Sequence, residues 1–306
     1  MKITNFIKLP LCGALIFLSA AASYSQKRET AKTAAPKPIV FAVLNDGQTI
    51  EPIAQIEKGK LVEPVNGGDE PKQLASFVRT FYKPNTKYSL IFGGKLSGTV
   101  TVKTSDPNSD CGKNLATVSV QSAKAKLKGF VMGLATDART QPTALGVRRL
   151  PTYSERLAIE SLVRAEFAKQ GVAAGALKDL HYYNLTAIDV DNDGKAEMVG
   201  TFWVESSAKE RNLLFFIADL GSDDKYSFGY SDYKKITPAE VMSGEIKDLD
   251  ELGGELLLDV IDYDGDRTAE IFTIDKAFEG NNFHVYSRRD GKWSKVFEGY
   301  NYHCAY

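Results

Sequence analysis

Asp189-Val190-Asp191-Asn192-Asp193-Gly194-Lys195-Ala196-Glu197 and Asp262-Tyr263-Asp264-Gly265-Asp266-Arg267-Thr268-Ala269-Glu270 each place four carboxylates at relative positions 1, 3, 5 and 9. Four carboxylates on nine residues repel one another unless a cation stands among them. The spacing therefore predicts an oxygen cage for a hard divalent ion. Alternate residues of a loop folded round a point aim inward, so Asp189, Asp191 and Asp193, or Asp262, Asp264 and Asp266, each offer one oxygen. The backbone carbonyl at position 7, Lys195 or Thr268, and the carboxylate at position 9, Glu197 or Glu270, bring the count to six or seven. That count suits Ca2+, whereas Mg2+ favours fewer carboxylates and more water. Zinc or copper would call for His or Cys, which both loops lack. The competing reading is a pair of solvated Asp/Gly turns whose carboxylates bond to their own backbone with no ion bound.

The flanks decide the fold. The first loop lies between apolar runs at 185–188 and 196–204, the second between 255–261 and 269–274. Short apolar runs bounded by Asp and Gly read as strands. Both units continue into further strands, at 213–218 and 283–287, and the second closes with an Asp290-Gly291 hairpin leading into 294–297. The loops start 73 residues apart, so the C-terminal half is an internal repeat of two β-meander units. Thr237-Pro238-Ala239-Glu240 caps a short helical turn between them, in a segment that otherwise reads as an insertion.

An EF-hand requires a bidentate Glu at position 12 and a helix on each side. Position 12 is Gly200 in the first loop and Thr273 in the second, and the flanks are strand-like, so that reading fails twice. The pattern resembles the calcium-binding β-hairpin loop of FG-GAP repeats, found in integrin-type propeller blades and in secreted bacterial proteins. The resemblance covers the two loops and their flanking strands only. It implies Asp189, Asp191, Asp193 and Glu197 as side-chain ligands of one site, and Asp262, Asp264, Asp266 and Glu270 of the other. Both loops depart from that family in ending with Glu where Asp is usual, and the second has Arg267 where the first has Gly194. A side chain there disfavours a positive φ.

The N-terminal half also reads as β. Runs at 39–44 and 49–56 flank Asn45-Asp46-Gly47, a hairpin signal, and Glu57-Lys58-Gly59-Lys60 reads as a second turn. Leu74, Phe77, Val78 and Phe81 fall at helical spacing after Asp69 and Pro71. Further strands are predicted at 88–92, 98–103, 115–121 and 127–132, with 107–112 as an exposed connection. Thr152 and Glu155 make a capping box that opens a helix over 153–170, ending at Gly171. The expected organisation is a signal peptide (1–26), a flexible leader (27–38), an N-terminal antiparallel β domain with one short helix (39–139), a linker (140–151) and an FG-GAP-like domain with a capping helix (152–306). The fold class is mainly β with minor α, as open packed meanders or, if the N-terminal strands supply further blades, a propeller.

Lys2 and Lys8 precede an apolar run from residue 9 to about 22, too short for a membrane span and suited to a cleaved leader. Export to a periplasm or to the exterior is expected. With 38 basic and 39 acidic residues, removing Lys2 and Lys8 shifts the formal charge from −1 to −3, which argues for neither nucleic acid nor an anionic membrane as partner. Cys111 and Cys304 remain after such cleavage, and an isolated pair in an exported chain predicts a disulfide, the alternative being two unrelated buried thiols. His181, His284 and His303 sit in no metal or catalytic spacing, and Phe92-Gly93-Gly94-Lys95 lacks the pattern of a phosphate loop. The expected function is a non-enzymatic calcium-braced scaffold that binds an extracellular protein or glycan. The alternative is a secreted hydrolase with structural calcium and an acid/base pair that the sequence does not name.

Overall fold

Strand β1 (Ile39–Leu44), Ile-Val-Phe-Ala-Val-Leu, is buried along its whole length, and this explains the architecture. Side chains alternate across a strand, so a run that is apolar at every position needs a core on each face. Ile39, Phe41 and Val43 enter one cluster, while Val40, Ala42 and Leu44 enter another. The computed structural model describes residues 36–138, 148–241, 243–249 and 254–304. The expected signal peptide, the leader up to 35 and linker residues 140–147 lie outside them.

The first cluster fills a barrel. After β1 come β2 (Thr49–Glu57), β3 (Lys60–Val62), helix α1 (Pro71–Phe81), β4 (Lys87–Phe92), β5 (Lys95–Ser105), β6 (Ala116–Gln121) and β7 (Gly133–Thr136). The ladder runs β1-β7-β4-β5-β6-β2, and β2 pairs back to β1, closing six antiparallel strands with β3 as an appendage on β2. Leu74, Phe77 and Phe81 of α1 are buried, and Phe77 and Phe81 join Phe41, Tyr82 and Tyr88 in its aromatic interior.

The predicted strand at 127–132 is corrected. Gly129 has φ +58°, which breaks an extended run, and a Lys128–Val131 bridge closes a tight turn there. The strand itself is β7, one turn later. A further correction concerns the supposed insertion between the meanders, because β11 (Tyr226–Ile236) is a full edge strand along β10.

Helix α2 (Tyr153–Lys169) has the expected capping box, with both Thr152–Glu155 bonds formed. The first meander follows as β8 (His181–Ile188), β9 (Glu197–Ser207), β10 (Glu210–Leu220) and β11. The second is β12 (Glu255–Ile261), β13 (Glu270–Ala277), β14 (Gly280–Arg289) and β15 (Lys292–Tyr302). Four layers stack. Leu256, Leu258, Phe272, Ile274, Phe283 and Val285 of the second meander pack against the outer face of β1. From its other face Leu257, Val260, Ile271 and Tyr286 meet Val199, Phe215 and Ile217 of the first meander. Leu257 and Val260 share that face despite odd spacing because the register shifts between Leu257 and Asp259. Ile159, Val163 and Phe167 of α2 cover the remaining face of the first meander.

Two polar ties join the layers. Gly93 and Gly94, at φ +64° and +68°, donate their N–H groups to Asp259 at 2.9 and 2.8 Å. Arg148 donates to the same carboxylate at 3.1 Å and to the carbonyls of Leu258 and Met132. The Gly-Gly turn thus cradles an anion, but the anion is the protein's own buried Asp259. At the far end Cys111 and Cys304 are disulfide-bonded, with Cα atoms 4.9 Å apart.

Candidate metal centre

Both acidic loops connect the first two strands of a meander, β8 to β9 and β12 to β13, and they fold alike. Position 1 accepts from the N–H of position 6: Asp189 from Gly194 at 3.0 Å, Asp262 from Arg267 at 3.1 Å. Position 3 accepts from position 5: Asp191 from Asp193 at 3.2 Å, Asp264 from Asp266 at 3.1 Å. Position 5 accepts from position 7: Asp193 from Lys195 at 2.7 Å, Asp266 from Thr268 at 2.8 Å. Glu197 and Glu270 reach back to the N–H of position 2, Val190 at 3.0 Å and Tyr263 at 3.3 Å.

The turning positions match as well. Positions 4 and 6 are left-handed in both loops, Asn192 (φ +60°) and Gly194 (+84°) in one, Gly265 (+84°) and Arg267 (+77°) in the other. Glycine takes that conformation freely and Asn with little cost, whereas Arg267 adopts it against its own preference. The same backbone path is therefore reached with the glycine at different turns.

Carboxylate oxygens of Asp189, Asp191 and Asp193 lie within 4.8 Å of one another in the first loop, as do those of Asp262, Asp264 and Glu270 in the second. Glu197 and Asp266, expected in the same cages, fall outside these groups of three. Glu197 is only 3 % exposed, and its second oxygen meets Arg288 at 3.3 Å. Asp189 Oδ1 is buried and has no hydrogen-bond partner among the described residues. A buried carboxylate oxygen left unsatisfied is costly, so it points to a missing partner. The donor set is all oxygen, which suits a hard cation such as Ca2+.

Burial pushes the Glu197 carboxyl up to about 7, despite the Val190 N–H and Arg288, which pull it down. Burial pushes Glu270 up to about 8, helped by the charge of Asp264. Asp262, 7 % exposed, is raised as well, chiefly by burial. Each loop therefore packs more carboxylate than its surroundings hold readily in ionised form, a state that a proton or a metal ion relieves.

Sequence reasoning missed the arginines that face the loops. Arg288 and Arg289 are consecutive on β14, so they leave opposite faces of the strand. Arg288 pairs with Asp191, with Glu197 and, at 3.3 Å, with Asp219 of β10. Trp293 donates to Asp219 at 2.9 Å, and the Arg288 guanidinium lies 5.8 Å from its ring centroid. Arg289 meets Asp264 at 3.2 Å from a largely exposed position. Their only trace in the sequence was a place at the mouth of the Asp290-Gly291 hairpin. No known protein family, curated protein or solved structure matches the chain.

Proposed function

We propose that this chain is an exported, non-enzymatic protein whose two loops bind Ca2+ and brace a stacked β scaffold for an extracellular protein or glycan ligand. The observation that carries the reading is one loop conformation built twice, with its carboxylates converging each time and, in the first loop, an unsatisfied Asp189 oxygen buried among them. The likeness to FG-GAP loops belongs to the same proposal. An ion would tie position 1, at the end of one strand, to positions 3 and 5 in the first loop and to positions 3 and 9 in the second, fixing the mouth of the hairpin. Extracellular modules bind calcium with dissociation constants of roughly 10⁻⁴ to 10⁻³ M, enough for substantial occupancy in calcium-rich surroundings.

A hydrolase would need an acid free to exchange its proton with a substrate. The raised carboxyls Asp137, Glu197, Asp259, Asp262 and Glu270 are each held by backbone N–H groups, which favours the scaffold reading. Calorimetric titration of the chelated protein with calcium, run beside Asp191→Ala and Asp264→Ala, tests the proposal. Two sites are expected in the parent and one in each variant, with a calcium-dependent rise in Tm. No heat and no stabilisation at millimolar calcium would reduce the loops to ordinary turns.

A further inference from the structure

A cleft of about 420 Å³ opens between the barrel and the second meander, away from both acidic loops. Its walls come from five places: the β1–β2 turn with the start of β2, Leu115 just before β6, the turn before β7, strands β13 and β14, and the C-terminal tail. Its size is that of a small-molecule pocket.

The polar lining is fixed in place. Glu51, 1 % exposed, accepts from Asn301 at 2.7 Å and Asn281 at 2.8 Å, and its Oε1 lies 2.8 Å from His303 Nε2. Burial lowers the His303 pKa, but the bond and charge of Glu51 outweigh this and leave it raised. Asp46 accepts from the Gly129 N–H at 2.9 Å, and the Lys276 ammonium lies 6.0 Å from the Phe130 ring centroid. Asn45 donates to Thr49 at 3.2 Å. Leu44, Leu115, Met132 and Ile274 supply apolar surface between these groups.

The charged groups of the lining balance, two carboxylates against Lys276 and His303, and each has a partner within the protein. An ion of one sign would find no excess of the opposite charge to neutralise. What the cleft offers is hydrogen-bonding capacity of both kinds beside apolar patches. Glu51 is committed to Asn281, Asn301 and His303, so the capacity lies toward the rim: acceptors come from Asp46 and Thr49 and donors from the Lys276 ammonium. A hydroxyl donates and accepts at one atom, and a sugar ring presents several of them around a face of C–H groups. From this we infer that the cleft is a binding site for a small neutral saccharide, one or two rings in size.

The inference does not depend on calcium. Saturation-transfer NMR and calorimetry would be run on the full chain with glucose, galactose, N-acetylglucosamine, cellobiose, lactose and chitobiose, with glycerol and glutamate as controls. At least one sugar is expected to bind where glycerol and glutamate do not. Thr49→Phe, which fills the cleft, is expected to abolish that binding. Lys276→Met and Asp46→Asn, at its rim, are each expected to weaken it about tenfold. Should Thr49→Phe fail to fold, the two rim variants decide the matter, because unchanged affinity in both overturns the inference. So does a sugar signal no stronger than that of glycerol, or a preference for glutamate, which would mark a zwitterion site.

Discussion

The two acidic loops share a backbone, and their surroundings differ. The first is already faced by a cation of the protein's own: Arg288, only 20 % exposed, lies against Asp191, Glu197 and Asp219. The second has Arg289 on Asp264 alone, at 60 % exposure, and Glu270 instead meets Ser287 at 3.4 Å. Identical carboxylate spacing therefore does not imply identical affinity for the proposed ion. At the first loop a divalent ion would compete with a half-buried guanidinium for Asp191 and Glu197; at the second it would compete only with an exposed one, for Asp264.

The largest effect that would sharpen this contrast is on the ion-free protein. Arg288→Met leaves three carboxylates without their cation in a partly buried place, at a cost of about 2–3 kcal/mol. A thermal melt in chelator is expected to show the loss, and calcium is expected to restore most of it. An unchanged melt would mean that Arg288 is a spectator. The same variant is expected to bind calcium about tenfold more tightly at the first loop, or about 1.4 kcal/mol, with the second loop unaltered. Asp264→Ala as background isolates the first site for that titration, and equal affinity with and without Arg288 would break the comparison.

Smaller effects follow from the interchanged glycines. Gly194→Ala meets no neighbouring atom, so its cost is purely conformational, about 1 kcal/mol. Arg267→Gly is expected to gain up to about 1 kcal/mol by relieving a left-handed arginine, as read from Tm in chelator. The smallest effect is expected for Arg289→Met, within about 0.5 kcal/mol, because an exposed pair contributes little.

What the sequence revealed and what it hid divide along the same physical line. The β1–β2 hairpin, α2 with its capping box and the strand flanks of both loops are written in local pattern, and they stand where their residues place them. Barrel closure is not local: it rests on β1 pairing with β7 and on the two-residue contact of β2 with β6. Strand β11 was obscured because it is an edge strand, alternating half-buried with exposed residues in Tyr-Ser-Phe-Gly-Tyr-Ser, so it carries little apolar signal. The carboxylate spacing is legible within nine residues. The cations facing it lie 97 and 25 residues away from the carboxylates they meet, beyond the reach of any motif.

The bond between Cys111 and Cys304 spans 193 residues of sequence, and those residues include both meanders and α2. A pull between the start of the barrel and the C-terminus would therefore travel along β1 to β5 and across the sulfur bridge, bypassing the residues between the two cysteines. The two acidic loops and both meanders sit on a slack branch of the chain, whereas the β1–β2 wall of the cleft lies on the loaded path. The arrangement is a mechanical bypass: tension would load β1 to β5 while the two meanders and their acidic loops keep their shape.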